Sequence, residues 1–120
     1  MNPLTYQLSL VLFLQKKSFG PGPMMLLQGV EETGSLQKSA ASMGMAYSKA
    51  WKLIRELEEL WGFPLLYRHS GGAKGGGSIL TQKAKMLLET YQNMLQDVEN
   101  YTSKCFETYF DEKFWNEIRE

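Results

Sequence analysis

Two helical patterns separated by a glycine-containing turn occupy residues 34–62, GSLQKSAASMGMAYSKAWKLIRELEELWG. Ser35 comes directly before the first apolar-periodic run, so we expect its hydroxyl to cap a short helix. Gly44 interrupts the periodicity where a tight turn needs a permissive backbone. A second, longer helix is predicted from about Ala46 to Leu60. This order is typical of a helix-turn-helix, but a helical hairpin with a solvated outer face fits these residues equally well.

On a helical wheel, the longer helix divides into an apolar face and a polar face. The apolar face consists of Ala46, Ala50, Leu53, Ile54, Leu57, Leu60 and Trp61. The centre of the opposite arc is formed by Ser48, Lys52, Arg55 and Glu59. Tyr47 and Trp51 lie one turn apart on one border of that arc, and Lys49 and Glu56 lie on the other. The basic, hydroxyl-bearing outer face favours the helix-turn-helix interpretation.

Charge is distributed unevenly along this chain of 120 residues, whose formal net charge is zero. Between Gly34 and Lys85 there are eight basic and three acidic residues, a balance of +5. Between Met86 and Glu120 there are three basic and eight acidic residues, a balance of −5. Zero net charge alone argues against a nucleic-acid binder, but this segregation gives one part of the chain a surface suited to an anionic polymer. An ordinary solvated face would also produce such a charge run.

The chain contains one cysteine, Cys105, and one histidine, His69. A single cysteine excludes an intrachain disulfide and is typical of a reducing compartment, so we expect a cytoplasmic protein. Two soft ligands are few for a structural zinc site. The residues include no Ser-His-Asp or Cys-His arrangement of the kind that nucleophilic enzymes use. We therefore expect no metal, no cofactor and no catalytic residue.

Residues 5–15, TYQLSLVLFLQ, alternate with a period of two and predict a strand with one fully apolar face. Its apolar run Leu8–Leu14 is not typical of a signal peptide, because no basic residue precedes it and no small-residue cleavage site follows it. The run is also too short to span a bilayer, so no membrane segment is expected. FGPGP at residues 19–23 predicts a turn, and a helix is predicted to follow from Met24 to about Thr33.

A β-hairpin with a glycine-rich tip is predicted after the longer helix. Pro64 marks the end of that helix, Leu65–Tyr67 predicts a short strand, and Ile79–Leu80 predicts the returning strand. The segment between them, SGGAKGGGS, has five glycines among residues 71–77. It lacks the lysine-then-hydroxyl ending and the strand–loop–helix context of a nucleotide-binding loop. A plain flexible hairpin and a DNA-contacting wing are both compatible with it.

A long amphipathic helix is predicted over residues 82–109, with Thr81 as its N-cap. Its apolar seam begins at Ala84, and we expect the following members to form a dimer contact: Leu87, Tyr91, Met94, Leu95, Val98, Tyr101 and Cys105. Such a helix is roughly 40 Å long at about 1.5 Å per residue, which exceeds what a domain of this size can cover. One part should therefore pack on the domain and another on a second chain. DEKFWNEIRE at residues 111–120 predicts a short final helix.

Three segments resemble the N-terminal domain of the molybdate-responsive ModE-type regulators and, more distantly, the LysR-type regulators. They are LTYQLSLVLFLQKK, GSLQKSAASMGMAYSKAW and GGAKGGGSILT, and they follow one another over nearly the whole chain. The second and third segments are the specific ones. The resemblance implies a mainly α fold with a small β-sheet. Residues 1–80 would form a winged helix-turn-helix that includes the N-terminal strand, and residues 81–120 a dimerisation helix with a short tail helix.

The resemblance also implies a transcriptional regulator that binds double-stranded DNA as a homodimer. Ser48 occupies a position where these regulators often carry a basic residue, so their base preference is not transferred. ModE-type proteins hold molybdate in C-terminal domains, and no molybdate site is expected in this chain of 120 residues. A protein-interaction module that uses the same fold to bind a partner protein is the alternative, and it would show weak, salt-insensitive behaviour toward DNA.

In a DNA complex, the longer helix would enter the major groove, where Ser48, Lys52 and Tyr47 reach base edges. The full set of candidate DNA-binding residues is Ser35, Lys38, Tyr47, Ser48, Lys49, Lys52, Arg55, Arg68 and Lys74. The cations expected mainly to neutralise phosphates are Lys38, Arg55, Arg68 and Lys74. Trp51 has two interpretations: it packs against the strands of the hairpin, or it contacts DNA.

Overall fold

The computed structural model describes residues 2–69 and 77–120. Over these ranges the chain forms five helices and four strands. In chain order they are β1 (Leu12–Leu14), β2 (Lys16–Phe19), α1 (Pro21–Thr33), α2 (Leu36–Ser42), α3 (Tyr47–Trp61), β3 (Leu66–His69), β4 (Gly77–Leu80), α4 (Gln82–Tyr109) and α5 (Glu112–Arg119). The strands pair as two antiparallel hairpins, β1–β2 and β3–β4. The predicted mainly α fold with little β-structure is confirmed.

One hydrophobic core lies between the first three helices, the β3–β4 hairpin and the beginning of α4. Its fully buried side chains include Leu26, Leu27, Val30, Leu36, Ala40, Ala50, Ile54, Leu65 and Leu88. Helices α1 and α2 approach each other closely at Ser39, whose Oγ donates a hydrogen bond to the carbonyl oxygen of Leu26 over 2.7 Å. A Cβ atom added at Gly29 would lie 2.8 Å from Ser39 Cβ. The close approach therefore requires a glycine in α1.

The helix-turn-helix elements lie where the sequence predicts them. Ser35 Oγ accepts a hydrogen bond from the backbone N–H of Lys38 over 3.1 Å, as expected of the α2 N-cap. Gly44 adopts a positive φ of 67° in the turn between α2 and α3. Helix α3 begins at Tyr47 and ends at Trp61, one residue from the prediction at each end. The turn therefore connects the short α2 to the 15-residue helix α3.

The prediction of one strand over residues 5–15 is wrong. Residues 2–11 form neither helix nor strand, and only Leu12–Leu14 of the predicted segment are in β1. The chain turns at Gln15, whose φ is 67°, and returns as β2, which the sequence pattern did not reveal. The turn predicted at FGPGP is also shorter than expected, because α1 begins at Pro21. A proline in the first turn of a helix lacks only an amide that has no intrahelical partner.

Contacts with α4 hold the N-terminal segment in place. The hydroxyl of Tyr91 donates a hydrogen bond to the carbonyl oxygen of Leu10 over 2.7 Å. The ring centroids of Tyr6 and Phe106 are 4.9 Å apart. The ring of Phe19 in β2 meets Tyr91 edge to face at 5.0 Å. The side-chain alternation of this segment failed as a strand signal because a helix, and not a neighbouring strand, supplies its partners.

The predicted β3–β4 hairpin is confirmed, and its strands are longer than expected. Two hydrogen bonds attach its base to the neighbouring helices. The Glu58 carboxylate of α3 accepts from the backbone N–H of Leu65 over 2.7 Å. Thr81 Oγ1, at the start of α4, donates to the carbonyl oxygen of Pro64 over 2.7 Å. The glycine-rich tip predicted between the strands includes residues 70–76, which lie outside the described residues.

Helix α4 spans Gln82–Tyr109, as predicted, and Thr81 caps it by accepting from the backbone N–H of Ala84 over 3.1 Å. Its buried residues all lie in the first ten positions, and the remainder extends away from the core. The molecule is therefore elongated, with its longest dimension at 65 Å. The predicted final helix is present as α5. Within residues 2–69 and 77–120, no helix has the length and apolar character needed to cross a membrane.

Candidate nucleic-acid interface

Helix α3 separates its buried and exposed residues along its whole length. Ala50, Ile54 and Leu57 are buried in the core. The exposed candidates on α3 are Tyr47, Ser48, Lys49, Lys52 and Arg55. All three basic residues of the helix lie within its first nine positions, and all three acidic residues lie within its last six. The N-terminal part of α3 therefore presents a basic surface to solvent.

The backbone amides in the first turn of α3 have no side-chain cap, because Ala46 at the N-cap has no side-chain oxygen to accept from them. Helix α2 differs, since the hydroxyl of its N-cap Ser35 accepts from Lys38 N–H. The side chain of Lys38 is exposed in the first turn of α2. Unpaired amides and the partial positive charge of a helix N-terminus attract anions. The amino end of α3 is thus electrostatically suited to a phosphate-rich polymer.

Arg68 in β3 lies against two aromatic residues of α3. Its guanidinium carbon is 4.3 Å from the centroid of the Trp51 ring, and its Nη2 donates a hydrogen bond to the Tyr47 hydroxyl over 3.2 Å. The rings of Tyr47 and Trp51 meet edge to face, with centroids 6.3 Å apart. Arg68 shares a strand face with the buried Leu66, since side chains two residues apart point the same way. Trp51 therefore packs against the hairpin, as one of its two interpretations held.

The same cluster perturbs the phenol of Tyr47. The pKa of Tyr47 is lowered, most strongly by the indole N–H of Trp51 and next by the hydrogen-bonded, positively charged Arg68. Partial burial raises the pKa, but by less than these groups lower it. A donor or cation beside the oxygen favours the phenolate. Among the described residues, the buried Nε1 of Trp51 has no hydrogen-bond partner, so the indole N–H lies near the Tyr47 hydroxyl without forming a hydrogen bond to it. The Tyr47 hydroxyl accepts its hydrogen bond from Arg68.

The structure joins only some of the predicted DNA-binding residues. It brings Tyr47 into contact with Arg68, a pairing that the sequence did not indicate. The local signal was the spacing of Tyr47 and Trp51, one turn apart on the border of the polar arc, but nothing in it identified the partner strand. Lys74 lies outside the described residues. Across the described parts of the chain, no cluster of three or more His, Cys, Asp or Glu side chains could hold a metal ion.

The residues predicted to form the dimer contact divide into an inner and an outer group. Tyr91 is only 2% exposed and belongs to the core, and Leu87 and Leu95 are half-buried against that core. Val98 and Cys105 are half-buried farther along α4. Met94 is 49% exposed and Tyr101 is 71% exposed. The solvent-facing side of the seam thus begins at Met94, beyond the last buried residue of α4, Tyr91.

Comparison with known proteins places residues 24–85 in a family described as bacterial regulatory helix-turn-helix protein, lysR family. That range includes all of α2, α3 and the β3–β4 hairpin. It also includes every candidate DNA-binding residue, from Ser35 to Lys74. The family match therefore coincides with the basic part of the chain.

Several curated relatives are named ModE. The chain is 34% identical over 91 residues to the DNA-binding transcriptional dual regulator ModE of Escherichia coli strain K12, covering 75% of this chain and 35% of that protein. It is 33% identical over 88 residues to the transcriptional regulator ModE of Haemophilus influenzae, covering 73% and 32% of the two chains. For ModE of Yersinia pestis the identity is 32% over 107 residues, covering 88% and 39%. The chain thus spans about a third of the length of these relatives.

A solved structure supports the fold independently. ArgP from Mycobacterium tuberculosis superimposes with a TM-score of 0.52 and 23% sequence identity, covering 68% of this chain and 29% of that one. At this level of identity the likeness concerns the fold alone.

Proposed function

Because the chain belongs to the lysR family of bacterial regulatory helix-turn-helix proteins, we propose that it is a cytoplasmic transcriptional regulator that binds double-stranded DNA sequence-specifically as a homodimer. The relatives named ModE support a role in regulating transcription. The observation that carries the proposal is the exposed basic face at the amino end of α3, next to uncapped backbone amides. A face of this kind is suited to a groove lined by phosphates.

In the proposed complex, the amino-terminal half of α3 lies in the major groove. Ser48 and Lys52 are exposed on the outer side of the helix, opposite the buried Ala50 and Ile54. Their hydroxyl and ammonium groups offer hydrogen bonds to base edges, which distinguish all four base pairs in the major groove. The acidic residues of α3 lie at its other end, away from the groove entrance. Ser48 and Lys52 are therefore the residues proposed to read sequence.

Cations around this face would contact the phosphates on either side of the groove. Lys38 lies in the first turn of α2, Arg55 lies in the middle of α3, and Arg68 lies in the hairpin. Lys74, in the glycine-rich segment, is the fourth proposed contact. Phosphate contacts of this kind set register and affinity and contribute little to base preference.

The outer part of α4 is the proposed dimer contact. Met94 and Tyr101 are exposed on the seam, and Val98 and Cys105 continue it. Two such helices paired about a two-fold axis would cover this apolar surface in both chains. They would also present two copies of α3 to half-sites one helical turn, or a multiple of it, apart. The second half-site contact then forms at a raised effective concentration, which compensates for the few cations in each protomer.

Selection of bound duplexes from a random-sequence pool tests sequence reading by α3. Wild-type protein should enrich a palindromic site, whereas Ser48→Ala and Lys52→Ala should shift the enriched sequence. Lys38→Ala should weaken binding to all duplexes alike. Lys113→Ala is the control, because it removes an exposed charge in α5, which is not part of the proposed interface. Enrichment of no sequence by the wild-type protein would contradict specific DNA binding and favour a protein partner. An unchanged site in both α3 variants would contradict the assignment of the reading residues.

A further inference from the structure

Arg68 is held by α3 in the DNA-free protein. The Trp51 ring supports one face of its guanidinium group, and the Tyr47 hydroxyl accepts one of its N–H groups. Arginine has five N–H donors, and stacking on an indole uses none of them. Most of the donors of Arg68 therefore remain available although the side chain is anchored at two points. The side chain as a whole is exposed.

We propose that Tyr47 and Trp51 are positioning residues, which hold Arg68 at the junction of α3 and the β3–β4 hairpin so that it is preset to grip a DNA phosphate. This inference rests on the proposed function and assigns a specific task within it. An arginine that is already ordered loses less side-chain freedom on binding than one that is mobile in solvent. The planar guanidinium can then meet a phosphate with two parallel hydrogen bonds.

The location of the aromatic pair gives the arrangement a geometric consequence. Tyr47 and Trp51 belong to the first two turns of the helix proposed to enter the major groove. Arg68 belongs to the hairpin and lies 21 residues from Tyr47 along the chain. The contact therefore fixes the distance between the base-reading residues and one phosphate contact. A lysine at position 68 would keep the charge but lose the planar stack and the paired hydrogen bonds.

A double-mutant cycle on DNA affinity tests the inference, with a fluorescein-labelled duplex of random sequence as the probe. Trp51→Leu should weaken binding about three- to tenfold, and Arg68→Ala should weaken it at least as much. Trp51→Leu should have little further effect in the Arg68→Ala background, because the residue it positions is already absent. Arg68→Lys should bind more weakly than wild type although the charge is retained.

The chain supplies a matched control for the loss of a stacked tryptophan. In α5, the guanidinium carbon of Arg119 lies 5.1 Å from the centroid of the Trp115 ring, so Trp115→Leu removes the same kind of pair outside the proposed interface. Its DNA affinity should equal that of wild type. Trp51→Phe keeps an aromatic ring and should retain part of the affinity that Trp51→Leu loses. It also serves as the test variant if Trp51→Leu fails to fold.

The possible results separate the inference from the function on which it rests. Loss of affinity by the Trp51 variant that depends on the presence of Arg68 supports the positioning role. If Trp51→Leu loses the same affinity with and without Arg68, the positioning role is overturned, because a merely structural role of Trp51 would persist without the arginine. That result would leave the proposed DNA binding intact. A wild-type protein that binds no duplex overturns the positioning role together with the proposed function.

Discussion

The hydroxyl of Tyr91 in α4 donates a hydrogen bond to the carbonyl oxygen of Leu10 over 2.7 Å, across 81 positions of the chain. The same ring meets Phe19 of β2 edge to face. The Tyr91 side chain thus connects α4 both to the segment that precedes β1 and to β2. Because Tyr91 is directed into its own chain, it stabilises the protomer, and the proposed dimer contact depends on the outer residues of the seam.

Tyr91→Phe should lower the free energy of unfolding by about 1 kcal/mol, since it removes one partly buried hydrogen bond and leaves the Leu10 carbonyl without that donor. Urea denaturation monitored by circular dichroism measures the change. Tyr101→Phe is the control, because Tyr101 is 71% exposed and its hydroxyl lies at the surface. Equal stabilities for wild type and Tyr91→Phe would show that the bond contributes nothing net.

Tyr91 also predicts a loss of stability at alkaline pH. Burial, and to a lesser extent the negative charge of Glu99, raises the pKa of Tyr91 above the usual value of 10.0. A raised folded-state pKa contributes stability that is complete below the unfolded pKa and is lost as pH rises through the folded pKa. From pH 10 upward, wild-type protein should therefore lose stability more steeply than Tyr91→Phe. Parallel pH profiles for the two proteins would contradict this assignment.

Gly29→Ala should destabilise the protein by about 1–3 kcal/mol, because the added methyl would collide with Ser39, which is buried. The gain in helix propensity that alanine normally brings is about 1 kcal/mol and would be outweighed. Gly22→Ala, also in α1, is the matched control, since a Cβ there has nothing within 4 Å. Thermal unfolding measures the effect: the shift in melting temperature from wild type should differ between the two variants in sign, or clearly in size. A fully stable Gly29→Ala would mean that α1 and α2 separate easily.

Met94→Glu combined with Tyr101→Glu should convert a dimer to monomers without unfolding the domain. Both residues are exposed in the chain as described, so the charges disturb only a surface that a second copy would cover. Leu87 and Leu95 are unsuitable for this test because they pack against the core. Met86→Glu is the control, since Met86 is 60% exposed and is not among the residues predicted to form the dimer contact. Light scattering gives the mass, and a wild-type monomer at tens of micromolar would rule out this dimer.

Local periodicity was sufficient to predict α3, the helix proposed to contact DNA, and α4, the helix proposed to contact a second chain. Helix α3 and helix α4 each contain several turns with one apolar face, so their bounds follow from side-chain spacing and from caps such as Thr81. The N-cap at Ser35 could likewise be predicted, because it depends only on the residues that follow it. Charge segregation and the short-helix–turn–helix order were therefore enough to propose a DNA-binding surface, which stays a prediction.

Features that depend on distant partners were not predictable in this way. The alternation in residues 5–15 has the period of a strand, yet most of that segment packs along α4 through Tyr6 and Leu10. The stacking of Arg68 on Trp51 depends on how the hairpin crosses α3, which no local pattern specifies. In both cases tertiary packing, and not the local conformational preference of the sequence, determines the long-range contact.

The dependence of DNA affinity on salt tests the central proposal most directly, because it counts the phosphates that the protein neutralises. Four phosphate-contacting cations in each of two protomers predict a slope of about −7 for log affinity against log salt concentration. Fluorescence anisotropy of a labelled duplex, titrated with the wild-type protein at several salt concentrations, measures this slope. A steep negative slope is the predicted result. Absent binding, or affinity that does not change with salt, would contradict the proposal that this protein binds DNA.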